Sequence, residues 1–365
     1  MLKYSDDYKG GLSKFFDAIK NLRLRWILLM FAIVFFTQTK VYKKTIEAII
    51  PNGFQAAMDT ALTGDKQAVV NDTTSLAASS DTTAENIDQS SMSQDDKDQA
   101  EQYRQAAEQG DAAAQFQLGR MYAHGKGVLQ SDKDAVLWYS KAAEQGYAKA
   151  QYNLGVMYAQ GKGVLQSNKD AVLWYGKAAE QGFAQAQYNL GVMYRDGSGV
   201  LQSDKDAVLW YRKAAAQGLS EAQHELGNMY VQGRGVLQSD KNAALWYRKA
   251  AEQGYTGAQY NLGNMYVQGR GVLQSDKDAV LWWRKAAEQG YTSAQNNLGF
   301  MYANGRGVLQ SNISAYMWVN ISADKDASQR KVKDALTKQM SAKDIAKAQE
   351  MSKVCLESNY KKCGY

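Results

Sequence analysis

Residues 147–182 read YAKAQYNLGVMYAQGKGVLQSNKDAVLWYGKAAEQG, and this unit of 36 residues recurs in register along the chain. Its tryptophan marks six copies at equal spacing: Trp138, Trp174, Trp210, Trp246, Trp282 and Trp318. A fixed period of this length predicts a stacked array, in which each unit buries its apolar face only against its neighbours. Such an array is typical of a protein that binds a partner rather than of an enzyme.

Each unit is predicted to hold two helices. Apolar side chains of the first half recur at helical spacing, at Ala150, Leu154, Met157 and Tyr158. Those of the second half do the same, at Ala171, Trp174, Tyr175, Ala178 and Ala179. The glycine-rich GKGVLQS lies between the two halves and predicts a loop, after which Ser167 or Asn168 caps the second helix. Gly182 is predicted to end that helix.

One glycine stands inside the first helix of every unit. Gly155 is an example, and a glycine at such a position costs ~1 kcal/mol relative to alanine. Its presence in all six copies predicts the close approach of the second helix.

The pattern AxxxLGxxYxxGxGV followed by AxxWYxKAAxxG resembles the Sel-one-like repeat (SLR), a relative of the tetratricopeptide repeat. The resemblance covers six units at residues 111–326, and residues 97–110 add a partial unit. It implies an all-α fold, an α/α superhelical solenoid whose first helices line a concave surface. It also implies an adaptor or scaffold role, found in many secreted or envelope proteins of bacteria.

The N-terminal region predicts where the protein resides. Residues 1–23 are basic and amphipathic, and residues 24–42 contain the apolar run WILLMFAIVFF at 26–36 between basic residues. We interpret 24–42 as an uncleaved anchor in the inner membrane, with the array in the periplasm. The alternative is a cleaved signal peptide and a secreted protein. Residues 43–96 are rich in Ser, Thr, Asp and Gln and predict a disordered tether.

Residues 327–365 predict a helical cap at the C-terminus. An amphipathic helix is expected over Ser341–Val354, with Ile345, Ala348 and Met351 facing inward. Cys355 and Cys363 follow it. They would pair as a disulfide in an oxidising compartment and remain thiols in the cytosol.

The sequence does not favour an enzyme, a cofactor or a metal site. The chain has only two histidines, His124 and His224, and neither belongs to a zinc motif. A β-lactamase-like or cell-wall enzyme is the alternative suggested by SxxK at Ser322, but the companion SDN and KTG elements are missing. The net charge of +6 is not clustered as nucleic-acid binding requires.

Comparison of the six copies separates packing positions from variable ones. Leu154, Gly155, Met157 and Tyr158 are the same in every copy, whereas three positions of the first helix vary and share one stripe. We predict that the stripe and the adjacent asparagines bind a protein or peptide, through Phe116, Tyr152, Asn153, Tyr188, Asn189, Arg195, His224, Tyr260, Asn261 and Asn297. Drift at exposed positions is the alternative for the stripe. Hydrogen bonding between repeats is the alternative for the asparagines.

These observations predict a membrane-anchored adaptor of the bacterial envelope. Its partner is an unidentified protein or peptide, and the array itself is expected to be monomeric because it buries its own apolar faces.

Overall fold

The computed structural model describes residues 92–323 and 328–363, and the regular structure within these ranges is entirely helical. The helices are α1 Gln94–Glu108, α2 Ala112–His124, α3 Asp132–Glu144, α4 Ala148–Gln160, α5 Asn168–Glu180, α6 Ala184–Asp196, α7 Asp204–Ala216, α8 Ser220–Gln232, α9 Asp240–Glu252, α10 Thr256–Gln268, α11 Asp276–Ala287, α12 Thr292–Asn304, α13 Asn312–Ala323, α14 Ser328–Thr337 and α15 Ala342–Glu357.

The predicted basic segment, the membrane span and all but the last residues of the tether lie outside the described residues. α1 begins at Gln94, inside the range assigned to the tether. Within residues 92–323 and 328–363, no helix has both the length and the apolar character needed to cross a membrane.

The helices pack in the order of the chain. Within each unit the first helix lies against the second, and the second helix then lies against the first helix of the next unit. Each interface buries a small apolar cluster; around α5, for example, Ala171, Tyr175, Ala178 and Leu190 are all nearly inaccessible to solvent. The all-α solenoid expected from the sequence is therefore present over the described repeats.

Capping residues set the helix boundaries. The Ser167 hydroxyl accepts a hydrogen bond from the Asp170 amide at 3.2 Å, so Ser167 rather than Asn168 is the N-cap of α5. Gly161 adopts a left-handed conformation with φ of 67° and ends α4. The C-cap of α5 is Gln181 rather than the predicted Gly182, which follows it with φ of 90°.

The glycine inside each first helix makes room for the second helix. A Cβ atom on Gly155 would lie 2.7 Å from Cδ1 of Tyr175, which is too close for any side chain to be accepted without movement. The same position meets a ring in the next three units, at Tyr211, Tyr247 and Trp283. The predicted close approach is confirmed. Gly176 of α5, by contrast, faces open space.

Glutamines hold successive units in register. The buried Gln151 amide donates to the Ala143 carbonyl at the end of α3 (3.0 Å), and its oxygen accepts from Gln181 at 2.7 Å. The Gln181 amide also reaches the Gly146 carbonyl at 2.9 Å. Equivalent bonds join Gln145 to Gln115, Gln217 to Gln187 and Gln289 to Gln259, and they satisfy these buried amides on both sides, as a polar group in an apolar interface requires.

The C-terminal segment closes the array. α15 follows its N-cap Ser341, and Ala348 is fully buried while Ile345 and Met351 pack against the apolar clusters around α13. The prediction of an inward-facing helix is confirmed; α14 was not predicted. The Cys355–Cys363 disulfide is present, and both cysteines are buried in the cluster that also contains Trp318.

Candidate functional site on the first helices

We call the variable side of α2, α4, α6, α8, α10 and α12 the first-helix surface. It carries the ten residues predicted to bind a partner. The aromatic members are not exposed: Phe116 is 7% accessible, and Tyr152, Tyr188, His224 and Tyr260 are half-buried.

Each of these rings packs against an aromatic residue of its own unit or at the start of the next one. The Tyr152 ring centroid lies 5.8 Å from that of Tyr175 and 5.1 Å from that of Phe183. The His224 ring is similarly placed, 5.6 Å from Tyr247 and 5.0 Å from Tyr255. These separations are typical of stabilising aromatic pairs.

This packing corrects one premise of the sequence analysis. This position is not on an exposed face, because the rings of five units, Phe116, Tyr152, Tyr188, His224 and Tyr260, pack beside the second helix; the sixth unit has Asn296 there. An Ala substitution at Tyr152 would therefore open a cavity and reduce stability. A role in partner binding at these rings stays a prediction.

The asparagines next to these rings join one unit to another. Burial raises the pKa of Tyr139, and its hydrogen bond with Asn153 of the next unit acts in the opposite direction. Burial likewise raises the pKa of Tyr175 to about 12, opposed by a hydrogen bond with Asn189. Hydrogen bonding between repeats, the alternative role considered for these residues, is therefore present. Asn297 occupies the equivalent half-buried position of α12.

One junction departs from this arrangement. Glu225 replaces the asparagine at the contact between α7 and α8, and its carboxylate accepts a hydrogen bond from Nη1 of Arg195 at 2.9 Å. The guanidinium of Arg195 also bonds Asp196, at 2.8 and 3.1 Å. We call Arg195, Asp196, His224 and Glu225 the charged junction.

His224 lies next to Glu225, on a different side from Arg195. Its Nε2 lies 3.1 Å from the side-chain nitrogen of Asn261, and its Nδ1 lies 3.4 Å from Oε1 of Glu225. If the Asn261 amide donates to Nε2, the imidazole proton is on Nδ1, facing the carboxylate. The contact with Glu225 is longer than a well-formed hydrogen bond.

Charge and burial oppose each other at Glu225. Burial alone would raise the pKa of this carboxyl, but the neighbouring His224 and Arg195 outweigh burial and hold the pKa below its usual value. The pKa of Arg195 is raised, first by its hydrogen bond with Asp196. Glu225 is thus ionised at neutral pH, on a surface where every other copy has a neutral Asn or Gln.

The exchange leaves one buried hydroxyl unsatisfied. Tyr211 is fully inaccessible, and within the described part of the chain its hydroxyl has no hydrogen-bond partner. The equivalent tyrosines Tyr139 and Tyr175 are bonded by Asn153 and Asn189 of the following unit. The charged junction therefore lacks the hydrogen bond between units that Asn153 and Asn189 form at their junctions, which we call standard junctions.

The most accessible apolar side chain of the first-helix surface is Phe300 on α12, which is 55% exposed. Sequence comparison placed it at a variable stripe position with Arg120, Val156 and Asn228, but it was not included in the predicted site. An aromatic residue where the other copies have Arg, Val or Asn is the signal that could have selected it.

Within the described residues, no three His, Cys, Asp or Glu side chains are grouped so that they could hold a metal ion. The polar groups of the first-helix surface are hydrogen-bond donors, acceptors and opposite charges set between aromatic rings. Such a surface is suited to recognising a polypeptide.

Comparison with known proteins identifies the family of the repeat. The family model of the Sel1 repeat matches residues 103–111, 112–147, 148–183, 184–219, 220–255, 256–291 and 292–326, so the short first match corresponds to the predicted partial unit. No functionally curated protein matches the chain.

Two solved structures are similar in sequence and in fold. One is a protective antigen present in uropathogenic Escherichia coli strains and displaying an SLR fold, with 39% identity over 71% of this chain and a TM-score of 0.66. This chain spans 56% of that protein's length. The other is a Sel1 repeat protein from Oxalobacter formigenes, with 32% identity over 63% of this chain and 97% of its own, and a TM-score of 0.54. The six in-phase units, the family model and these structures agree, and the chain belongs to the Sel1 repeat family.

Proposed function

We propose that this protein is a membrane-anchored scaffold of the bacterial envelope that binds a protein or peptide on its first-helix surface, between the charged junction and Phe300. Sel1 repeat proteins generally mediate protein–protein interactions. What is specific to this chain is the place on the array where the partner binds.

The charged junction is the observation that carries the proposal. A Glu at position 225 forfeits the hydrogen bond to Tyr211 and adds a partly buried negative charge, which pairs with the guanidinium of Arg195 and lies beside His224. An array selected only for stability gains nothing from this exchange, because a buried ion pair offers little over well-packed neutral groups. Charges that are oriented by neighbours and partly accessible give specificity and orientation to a bound polypeptide.

Phe300 supplies the apolar contact that such an interface needs. Binding energy concentrates in a few aromatic or arginine side chains at the centre of an interface. Phe300 and Arg195 are of these types, and they lie on first helices of the same array. An extended peptide that crosses from α6 to α12 would contact both.

Site-specific photocrosslinking in cells tests the surface. A photoreactive phenylalanine analogue at Phe300 is expected to give a crosslinked partner, and the same analogue at Glu252, exposed on the second helix α9, is the matched control. The proposal predicts a partner band from Phe300 and none from Glu252. Equal bands from both positions, or none from Phe300 in any growth condition, would reject this surface.

The envelope location is tested independently. Alkaline phosphatase fused after residue 91 is expected to be active, because the basic residues before the apolar run at 26–36 favour a cytoplasmic N-terminus. Mass spectrometry of the mature N-terminus then separates the anchored protein from a secreted one. An intact N-terminus in the membrane fraction supports anchoring, and loss of residues 1–36 supports secretion.

A further inference from the structure

Two rows of leucine side chains lie exposed along the array. The first row is in the loops that enter the second helices and is 90–92% exposed at Leu165, Leu201, Leu237, Leu273 and Leu309. The second row is on the second helices and is 48–51% exposed at Leu137, Leu173, Leu209, Leu245 and Leu281. Together we call these ten residues the leucine surface.

The leucine surface takes little part in folding the array. In the loop before α5, Val164 packs against the apolar core while the next residue, Leu165, is 91% exposed. A single exposed leucine is ordinary in a soluble protein. The same side chain at the same place in five successive units forms an extended apolar feature, which marks an interaction surface.

We infer that the leucine surface is an interface between two copies of this chain. The leucines recur once per unit, so a partner that contacts a whole row needs apolar sites at the same spacing. A second copy of the array has that spacing, and two rows of equal period can interleave around a twofold axis. The expectation of a monomer assumed that the array buries all its apolar faces, and the leucine surface is the exception.

The charges beside the leucines are of both signs. On α5, Lys169 and Lys177 lie four residues before and after Leu173, and Glu180 follows on the same exposed side. The ammonium group of Lys177 lies 4.1 Å from the centre of the Trp174 ring, which fixes its position. Two antiparallel copies can thus bring lysines of one against glutamates of the other, whereas a surface of one sign would repel its copy.

The available area matches what a dimer requires. A fully exposed leucine side chain offers roughly 100 Å² of apolar surface. Five residues near 90% and five near 50% exposure therefore give about 700 Å² per copy from leucine alone. Stable protein interfaces bury about 800 Å² per partner, which the neighbouring lysine stems would complete.

Cysteine crosslinking of the full chain in cells tests this interface. Cys355 and Cys363 are paired and buried, so Leu237→Cys introduces a single reactive thiol. With a short bismaleimide we expect a band of twice the chain mass from Leu237→Cys. Gln185→Cys, exposed at the opposite end of a first helix, is the matched control and should remain a monomer.

A second measurement separates this interface from association through the N-terminus. The detergent-solubilised full chain is expected to sediment as a dimer. Replacing the five loop leucines by Gln should weaken the dimer at least about tenfold, while replacing them by Met should preserve it. Circular dichroism checks that both variants remain helical.

Three results would overturn the inference. They are a wild-type monomer, a Gln variant that stays fully dimeric, or crosslinking of Gln185→Cys as strong as that of Leu237→Cys. Protection of the Leu237→Cys thiol by lipid vesicles, without a dimer band, would assign the leucines to a membrane surface instead.

Discussion

Two junctions of the array share the same helix packing and differ in the polar side chains that join one unit to the next. Where α5 meets α6, Asn189 bonds the Tyr175 hydroxyl of the preceding unit. Where α7 meets α8, Glu225 takes that place, binds Arg195, and leaves the Tyr211 hydroxyl without a partner in the described structure. The helix packing and the bond from the buried glutamine to the end of the preceding helix are unchanged. Repetition thus supplies an internal control that most folds lack.

The comparison separates stability from recognition. Residues that are the same in all junctions explain why the array stacks, and they are therefore poor candidates for binding a particular partner. Glu225 is charged where the other junctions are neutral, and it lacks the bond that Asn153, Asn189 and Asn261 form with a tyrosine of the preceding unit, so it has no such role in stacking. The predictions below test this separation.

Removing Glu225 should have the largest effect. Glu225→Ala leaves Arg195 half-buried beside Asp196 alone and is expected to cost about 3 kcal/mol of stability, less than a fully buried pair because both side chains retain some exposure. Asn189→Ala, its counterpart in the standard junction, should cost about 1 kcal/mol. Thermal unfolding of the two variants measures the difference. Equal losses of stability would mean that Glu225 contributes no more to the charged junction than Asn189 contributes to its own junction.

The glycine contact should behave alike within the two units whose first helices, α6 and α8, form these junctions. Gly191→Ala and Gly227→Ala each force a methyl group onto a tyrosine ring, at 2.7 and 2.6 Å, and should cost about 2 kcal/mol. Gly176→Ala is the control, because that helical glycine faces open space and alanine should stabilise by about 0.5–1 kcal/mol. A large difference between the first two variants would show that the charged junction alters the helix packing itself.

Converting the charged junction into a standard one should leave the stability of the protein nearly unchanged. The double variant Arg195→Ala/Glu225→Asn removes both charges and offers the Tyr211 hydroxyl the amide that Tyr175 already has. We expect stability within about 1 kcal/mol of the wild type, with any change in the favourable direction. A loss as large as that of Glu225→Ala would show that the ion pair is needed for stacking.

The smallest expected effect is a dependence on acid pH. The pKa of Glu225 is lowered in the folded state. The ionised carboxylate therefore contributes fully to the free energy of unfolding above its ordinary pKa of 4.5, and this contribution is lost as the pH falls through the pKa of the folded state. The stability difference between wild type and Glu225→Gln should therefore shrink below about pH 4.5. Asn189→Ala should show no such change relative to wild type, and a parallel acid dependence in that variant would contradict the assignment.

Much of the fold follows from the sequence because the pattern is repeated six times. The spacing of Leu154, Gly155 and Tyr158 predicted a helix, a partner helix and a close contact, and the structure has all three. Ser167 was one of two candidate caps and is the N-cap; capping could be predicted because it depends on neighbours in the chain. The disulfide was expected for an oxidising compartment and is present.

The candidate site was harder to predict, because it depends on contacts between units. The sequence shows that Tyr152 varies between copies but not that Tyr175 and Phe183 lie against it. Glu225 was overlooked because its partner Arg195 is thirty residues away, in a different unit. Phe300 was passed over because exposure is a property of the assembled surface. α14 carries no repeat pattern, and its helix was missed for that reason.

The central claim is that the charged junction serves partner binding rather than stacking. The most direct test combines the double variant Arg195→Ala/Glu225→Asn with the photocrosslinker at Phe300. The account predicts that thermal unfolding is almost unchanged while the crosslinked partner band falls about tenfold. A band of undiminished intensity from the folded double variant would contradict it.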